Sequence, residues 1–127
     1  MTKFNLRRDE RGAAALEFAL SVPILIMMIW GIFQVGLLYE ANAGMQHALG
    51  EGARYTTLYP TPTNTQIKNR ISSKVFGTKN GTFTVATPVN GVGYKDLSVT
   101  YTTQTNFLFM AGPSVTLTRT KKVYVAT

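Results

Sequence analysis

The apolar positions of this chain change period along its length, and each period predicts a different element. From Phe18 to Tyr39 the sequence reads FALSVPILIMMIWGIFQVGLLY, 22 residues without a charged side chain. As an α-helix rising about 1.5 Å per residue this stretch is about 33 Å long, enough to cross the hydrocarbon core of a bilayer. Its Phe, Leu, Ile and Val side chains each favour insertion by about 0.3–0.6 kcal/mol, a sum of about 4–7 kcal/mol that outweighs Ser21 and Gln34. The run also exceeds the ~18 apolar residues beyond which a membrane span, and not a buried soluble helix, is the simpler reading. After it, Leu38, Ala41, Met45, Ala48, Leu49, Gly52 and Ala53 recur at three- and four-residue spacing. This predicts that the helix continues, over 13–58 in all, with a small-residue stripe suited to cover the protein's own sheet. Gly44, Gly50 and Gly52 weaken that extension, each by about 1 kcal/mol relative to alanine.

Tyr59-Pro60-Thr61-Pro62-Thr63-Asn64 ends the helix, because each proline disfavours helical backbone at itself and at its predecessor. Residues 59–64 therefore read as a linker. Ile67, Ile71 and Val75, with Gly77 behind them, predict a short amphipathic helix over Thr65–Phe76 whose polar face carries Lys68, Arg70 and Lys74. The period then falls to two. Thr82–Thr87, Leu97–Gln104 and Ser114–Val125 alternate Phe, Val, Leu and Tyr with Ser and Thr, and Asn80-Gly81, Asn90-Gly91 and Gly112-Pro113 punctuate them, as in a three-stranded antiparallel meander. The expected fold is α+β: a long N-terminal transmembrane helix followed by a small head over 65–127. The apolar run Asn106-Phe107-Leu108-Phe109-Met110-Ala111 is expected in the core, with a docking patch or a membrane-proximal wedge as the alternatives.

Charge gives the chain a direction. Lys3, Arg7, Arg8 and Arg11 precede the apolar run, whereas Arg54 is the first basic residue after it. The N-terminus should therefore remain cytoplasmic and residues 40–127 should lie across the membrane. A secretory signal peptide cut near Ala41-Asn42-Ala43 is the competing reading, but its apolar region would be far longer than the 7–15 residues typical of such signals. Beyond residue 52 the chain carries nine Lys and Arg residues against Asp96 as its one acid. An anionic partner such as acidic polysaccharide, lipid headgroups or DNA then competes with a merely solvated basic face, and Lys121-Lys122 is the candidate anion-binding pair. No known nucleic-acid motif accompanies these residues, so nucleic acid is not the expected partner.

With no cysteine and His47 as its one histidine, the chain lacks the ligands of a zinc finger or an iron–sulfur site, and it has neither a thiol nucleophile nor a disulfide framework. Phosphate-loop and HExxH motifs are absent, and His47 has Glu51 four residues on but no evident nucleophile. No enzymatic activity, metal, cofactor or small-molecule substrate is expected.

The segment Arg7-Arg8-Asp9-Glu10-Arg11-Gly12-Ala13-Ala14-Ala15-Leu16-Glu17-Phe18 resembles a type IV prepilin leader, in which a membrane aspartyl peptidase cuts after a glycine and a glutamate is the fifth residue of the mature chain. The longer stretch GAAALEFALSVPILIMMIWGIFQVG, with the Ala/Gly-rich segment ending at Ala53-Arg54, is similar to the TadE-like minor pilins, or pseudopilins, of tight-adherence (Flp, type IVc) pilus systems. The resemblance implies residues 1–12 as a leader, a cut between Gly12 and Ala13, and Glu17 as the assembly residue that pairs with an N-terminal amine. It also implies a bacterial inner-membrane precursor that reaches the cell surface in the pilus and serves assembly or adhesion. The implied partners are a prepilin peptidase, other pilins and pseudopilins, and an inner-membrane assembly platform of the secretion system. Phe18, Pro23, Trp30, Gly31 and Gly36 belong to the membrane helix. Ala15, Ala19, Gly31 and Gly36 are small enough to allow close helix approach. Gln34 departs from the family pattern, which leads one to expect an acid there. An unprocessed single-pass component of the assembly machinery and a membrane-anchored module for anionic surfaces are the alternative functions.

Overall fold

The computed structural model describes residues 10–108 and 110–125. Lys3, Arg7, Arg8 and Asp9 of the expected leader lie outside the described residues. Helix α1 (Glu10–Thr56) is followed by α2 (Asn64–Ser72), β1 (Gly81–Val85), β2 (Val89–Gly91), β3 (Tyr94–Phe107) and β4 (Met110–Tyr124). This is the expected α+β architecture, a long apolar helix with a small mixed head at its C-terminal end.

α1 passes through Pro23 without ending. That proline withholds the N–H that the Ala19 carbonyl would otherwise accept. Two stretches of different character follow one another along the same rod. From Leu16 to Tyr39 the large apolar side chains are mostly exposed, whereas Ala41, Met45, Ala48 and Leu49 are buried. The stripe that begins near Leu38 is one wall of the head's core, closed by Ile67 and Ile71 of α2 and by Val85, Leu97, Val99, Tyr101 and Val123 of the sheet.

α2 begins where a capping box allows it. The Thr63 hydroxyl accepts from the Gln66 backbone N–H at 3.3 Å, and Gln66 Oε1 accepts from the Thr63 N–H at 2.9 Å. The helix stops at Ser72, four residues short of the predicted Phe76, because the Ser73 N–H closes the last turn onto Asn69 and Gly77 reverses the chain at a φ of 77°. Val75 still packs against the core.

The sheet has four strands where the sequence pattern predicts about three, and it is not a simple meander. β1 and β2 lie end to end along one edge of β3, with Val85 opposite Val99 and Val89 opposite Asp96, while β4 covers the other edge. β3 and β4 are longer than predicted at the hairpin end, and Asn106, Phe107, Leu108, Met110 and Ala111 of the apolar run lie at the end of that hairpin instead of in the core. Phe107, Leu108 and Met110 are exposed. The inner face of the sheet is apolar and lies on α1. Its outer face carries threonine rows, Thr82-Thr102-Thr116 and Thr84-Thr100-Thr118, with hydroxyls 3.1 Å apart at Thr100–Thr118. The β4 edge is blunted by Pro113, Arg119, Lys121 and Lys122, residues that discourage edge-to-edge pairing.

Candidate functional site

Gly12 and Ala13 lie in the first turn of α1, where the leading N–H groups have no intrahelical partner, so the backbone there opens with few hydrogen bonds lost. Glu17 is four residues beyond Ala13, on the same side of the helix and exposed. The Ser21 hydroxyl donates to the Glu17 and Phe18 carbonyl oxygens at 3.1 and 2.9 Å, which satisfies this polar side chain inside the apolar stretch. Phe18 and Pro23 are exposed, and a Cβ added at Gly31 or Gly36 would meet no atom within 4 Å. The small residues of the span thus face open surface.

The C-terminal half of the apolar stretch is not bare. Trp30 Nε1 donates to the Asn106 carbonyl oxygen at 2.6 Å, and the Gln34 side-chain amide donates to the same oxygen. Gln34, where the resemblance leads one to expect an acid, thus has a structural use, because an ionised carboxylate at this position has no proton to donate. Trp30, Phe33, Gln34 and Leu37 form the helix side of a cleft of about 410 Å³ whose other side is Lys79, Asn80, Gln104 and Asn106. Higher up, Arg119 Nε donates to Asn42 Oδ1 at 2.7 Å.

Glu51 and Arg54 pair at 3.4 Å, and Arg70 of α2 joins the same carboxylate oxygen at 3.1 Å. Arg70 was not foreseeable as a partner, since nineteen residues separate it from Glu51. Arg54 first, through its hydrogen bond and its charge, and then Arg70 hold the Glu51 carboxyl below its ordinary 4.5, against an opposing effect of desolvation. A depressed carboxyl value stabilises the fold above the unfolded value and loses that contribution as pH falls through the folded one. The melting-temperature gap between the native chain and a Glu51→Gln variant should therefore be open near neutrality and should close as pH falls below 4.5. A gap that stays constant across that range would show that the pair adds nothing to stability.

Lys121 and Lys122, successive strand residues, point to opposite faces of the sheet. Lys121 lies opposite Leu97 on the helix-facing side, beside Gln46, Leu49 and Arg119. Lys122 lies opposite Asp96 with its Nζ 4.1 Å from the centre of the Tyr94 ring. His47 is exposed, with its ring 5.7 Å from that of Phe76. Among the described residues no group of three or more His, Cys, Asp or Glu side chains is placed to hold a metal ion.

α1 is long and apolar enough to cross a membrane, and the most apolar part of it is not buried by the rest of the protein. No curated protein and no solved structure matches the chain. The helix and the segment leading into the head are what comparison recognises: residues 12–54 match the family model described as TadE-like protein.

Proposed function

We propose that the chain is a TadE-like minor pilin or pseudopilin of a tight-adherence pilus, cut between Gly12 and Ala13 and inserted into the filament through α1. The observation that carries this reading is the exposed, uncharged surface of α1 from Phe18 to Tyr39, in a segment matched to the TadE-like family. Before assembly lipid covers that surface. After extraction the corresponding helices of other pilins and pseudopilins cover it, and the open positions Gly31 and Gly36 allow them to approach closely. The basic leader keeps the N-terminus in the cytoplasm and places the head on the far side of the inner membrane.

Cleavage changes the electrostatics of the helix start. A lone carboxylate carried to mid-bilayer costs about 2.5–3.5 kcal/mol. A cut after Gly12 leaves an ammonium on Ala13, one helical turn from Glu17, and the helix N-terminus itself favours the negative charge. In the filament the same carboxylate can accept the amine of an adjacent subunit and set its register. The test is mass spectrometry of the N-terminal peptide of the protein recovered from its native membranes and pili. Ala13 as first residue is the expected result, and an intact leader in the assembled form would overturn the proposal in favour of an unprocessed membrane component. A Glu17→Ala variant should remain in the membrane at normal level while its recovery from sheared pili is lost.

A further inference from the structure

The distal half of the β3–β4 hairpin matches the membrane helix in chemistry and lies against it. No charged side chain occurs between Leu97 and Thr118, as none occurs between Phe18 and Tyr39. The two uncharged stretches meet at the Asn106 carbonyl, which receives Trp30 and Gln34. Charge returns on the hairpin at Arg119, which is bonded to Asn42, about 18 Å further along α1. Phe107, Leu108 and Met110 at the tip remain 48%, 44% and 68% exposed.

Depth along the helix places this tip in lipid. A helix that enters the hydrocarbon at Ala13 and crosses about 30 Å leaves it about twenty residues later, near Phe33. Entry at Glu17 moves the exit to about Leu37 and seats the tip deeper. Trp30, whose indole suits the boundary between apolar and polar layers, stands near that exit with the tip beside it.

A hairpin in such a place must cover its own backbone, since lipid offers no hydrogen bonds. β3 loses its β1 partner beyond Thr103, and it is there that Trp30 and Gln34 cover the Asn106 carbonyl. On β4, Gln104 Nε2 donates to the Gly112 carbonyl at 3.0 Å and the Thr105 hydroxyl donates to the Pro113 carbonyl at 2.7 Å. Pro113 has no N–H to satisfy. Lys79 borders the same cleft, where its ammonium can meet lipid phosphate while its stem stays apolar.

We propose that the β3–β4 hairpin tip, through Phe107, Leu108 and Met110, is a second membrane contact, seated in the phospholipid leaflet on the head's side next to Trp30. This rests on the membrane reading of α1, and the experiment separates the two. The chain has no cysteine and one tryptophan, so each site can be probed alone. Full-length Leu108→Cys and Val92→Cys variants, each carrying an environment-sensitive fluorophore, are reconstituted into phosphatidylcholine–phosphatidylglycerol vesicles with nitroxide-labelled lipid in both leaflets. Val92 is fully exposed in the β2–β3 turn, at the opposite end of the sheet. The label at position 108 should be blue-shifted and should lose fluorescence to a nitroxide placed near the headgroup, whereas the label at 92 should be unchanged. If 108 behaves like 92 while Trp30 of the unlabelled chain is quenched, the helix spans and the hairpin proposal is overturned. If Trp30 also escapes quenching, the membrane reading fails and the proposal with it. A signal at 108 that follows the protein-to-lipid ratio, and not the nitroxide, would mean that a second copy covers the tip and would likewise overturn it.

Discussion

An Ile71→Ala variant should lose about 2–5 kcal/mol of head stability, the range for truncating a fully buried aliphatic side chain. Ile71 has no exposed surface and fills the space between α2, Gly52 of α1 and Leu97 of β3. Gly52 has no side chain that could expand into the void, and the surrounding backbone belongs to a long helix and a central strand, so the site cannot collapse cheaply. A head of this size holds only a modest stability margin, and a loss of this size consumes much of it. Urea unfolding of the full chain in detergent, followed by far-UV circular dichroism, reads the effect, because the apolar part of α1 stays helical in the micelle while the head unfolds. Ile71→Val should cost only about 0.5–1.5 kcal/mol. Equal midpoints for the alanine variant and the native chain would show that α2 is not part of the cooperative core.

A second large effect is expected at Gly44, with the opposite sign at a neighbouring glycine. A Cβ at Gly44 would collide with the Phe76 carbonyl oxygen and lie 3.0 Å from its carbon, so backbone and not a flexible side chain would have to move. Phe76 is followed by Gly77, whose positive φ lets the chain turn against Glu40 and Ala41. Gly44→Val should therefore destabilise by at least the ~1–3 kcal/mol typical of overpacking, despite the helix propensity gained over glycine. Gly50 is helical too, yet nothing lies within 4 Å of an added Cβ there. Gly50→Ala should stabilise by up to about 1 kcal/mol. Paired urea titrations check both, and two shifts of the same sign would mean that helix propensity, and not the contact with Phe76, decides the outcome at Gly44.

The features that sequence made legible are those carried by period and by local motif. Phe18–Tyr39 announced itself by length and lack of charge, and the stripe from Leu38 to Ala53 by helical spacing that matches the wall of the core. The inner strand residues Phe83, Val85, Leu97, Val99 and Tyr101 followed from alternation. What escaped was set by distance or by backbone. Val89-Asn90-Gly91 reads as a turn and becomes a strand only because the Tyr94–Asp96 edge of β3 is left open beyond β1. The run 106–111 reads as core because composition cannot tell a buried apolar segment from one that extends along an exposed helix. The acceptor for Trp30 and Gln34 is a main-chain oxygen, which has no residue signature at all. A readable hint did exist: the absence of charge from Leu97 to Thr118 mirrors that of the helix it accompanies.

The continuity of α1 from the apolar stretch into the wall of the core has a mechanical consequence. Beyond Pro23 anchor and head share one rod that runs on to Thr56, with no proline between them at which rotation could dissipate. Any tilt or axial turn imposed on the embedded part, whether by bilayer thickness or by a neighbouring subunit, swings the sheet through the same angle. The threonine rows on the far side of that sheet thus act as a pointer whose direction reports how the shaft is held.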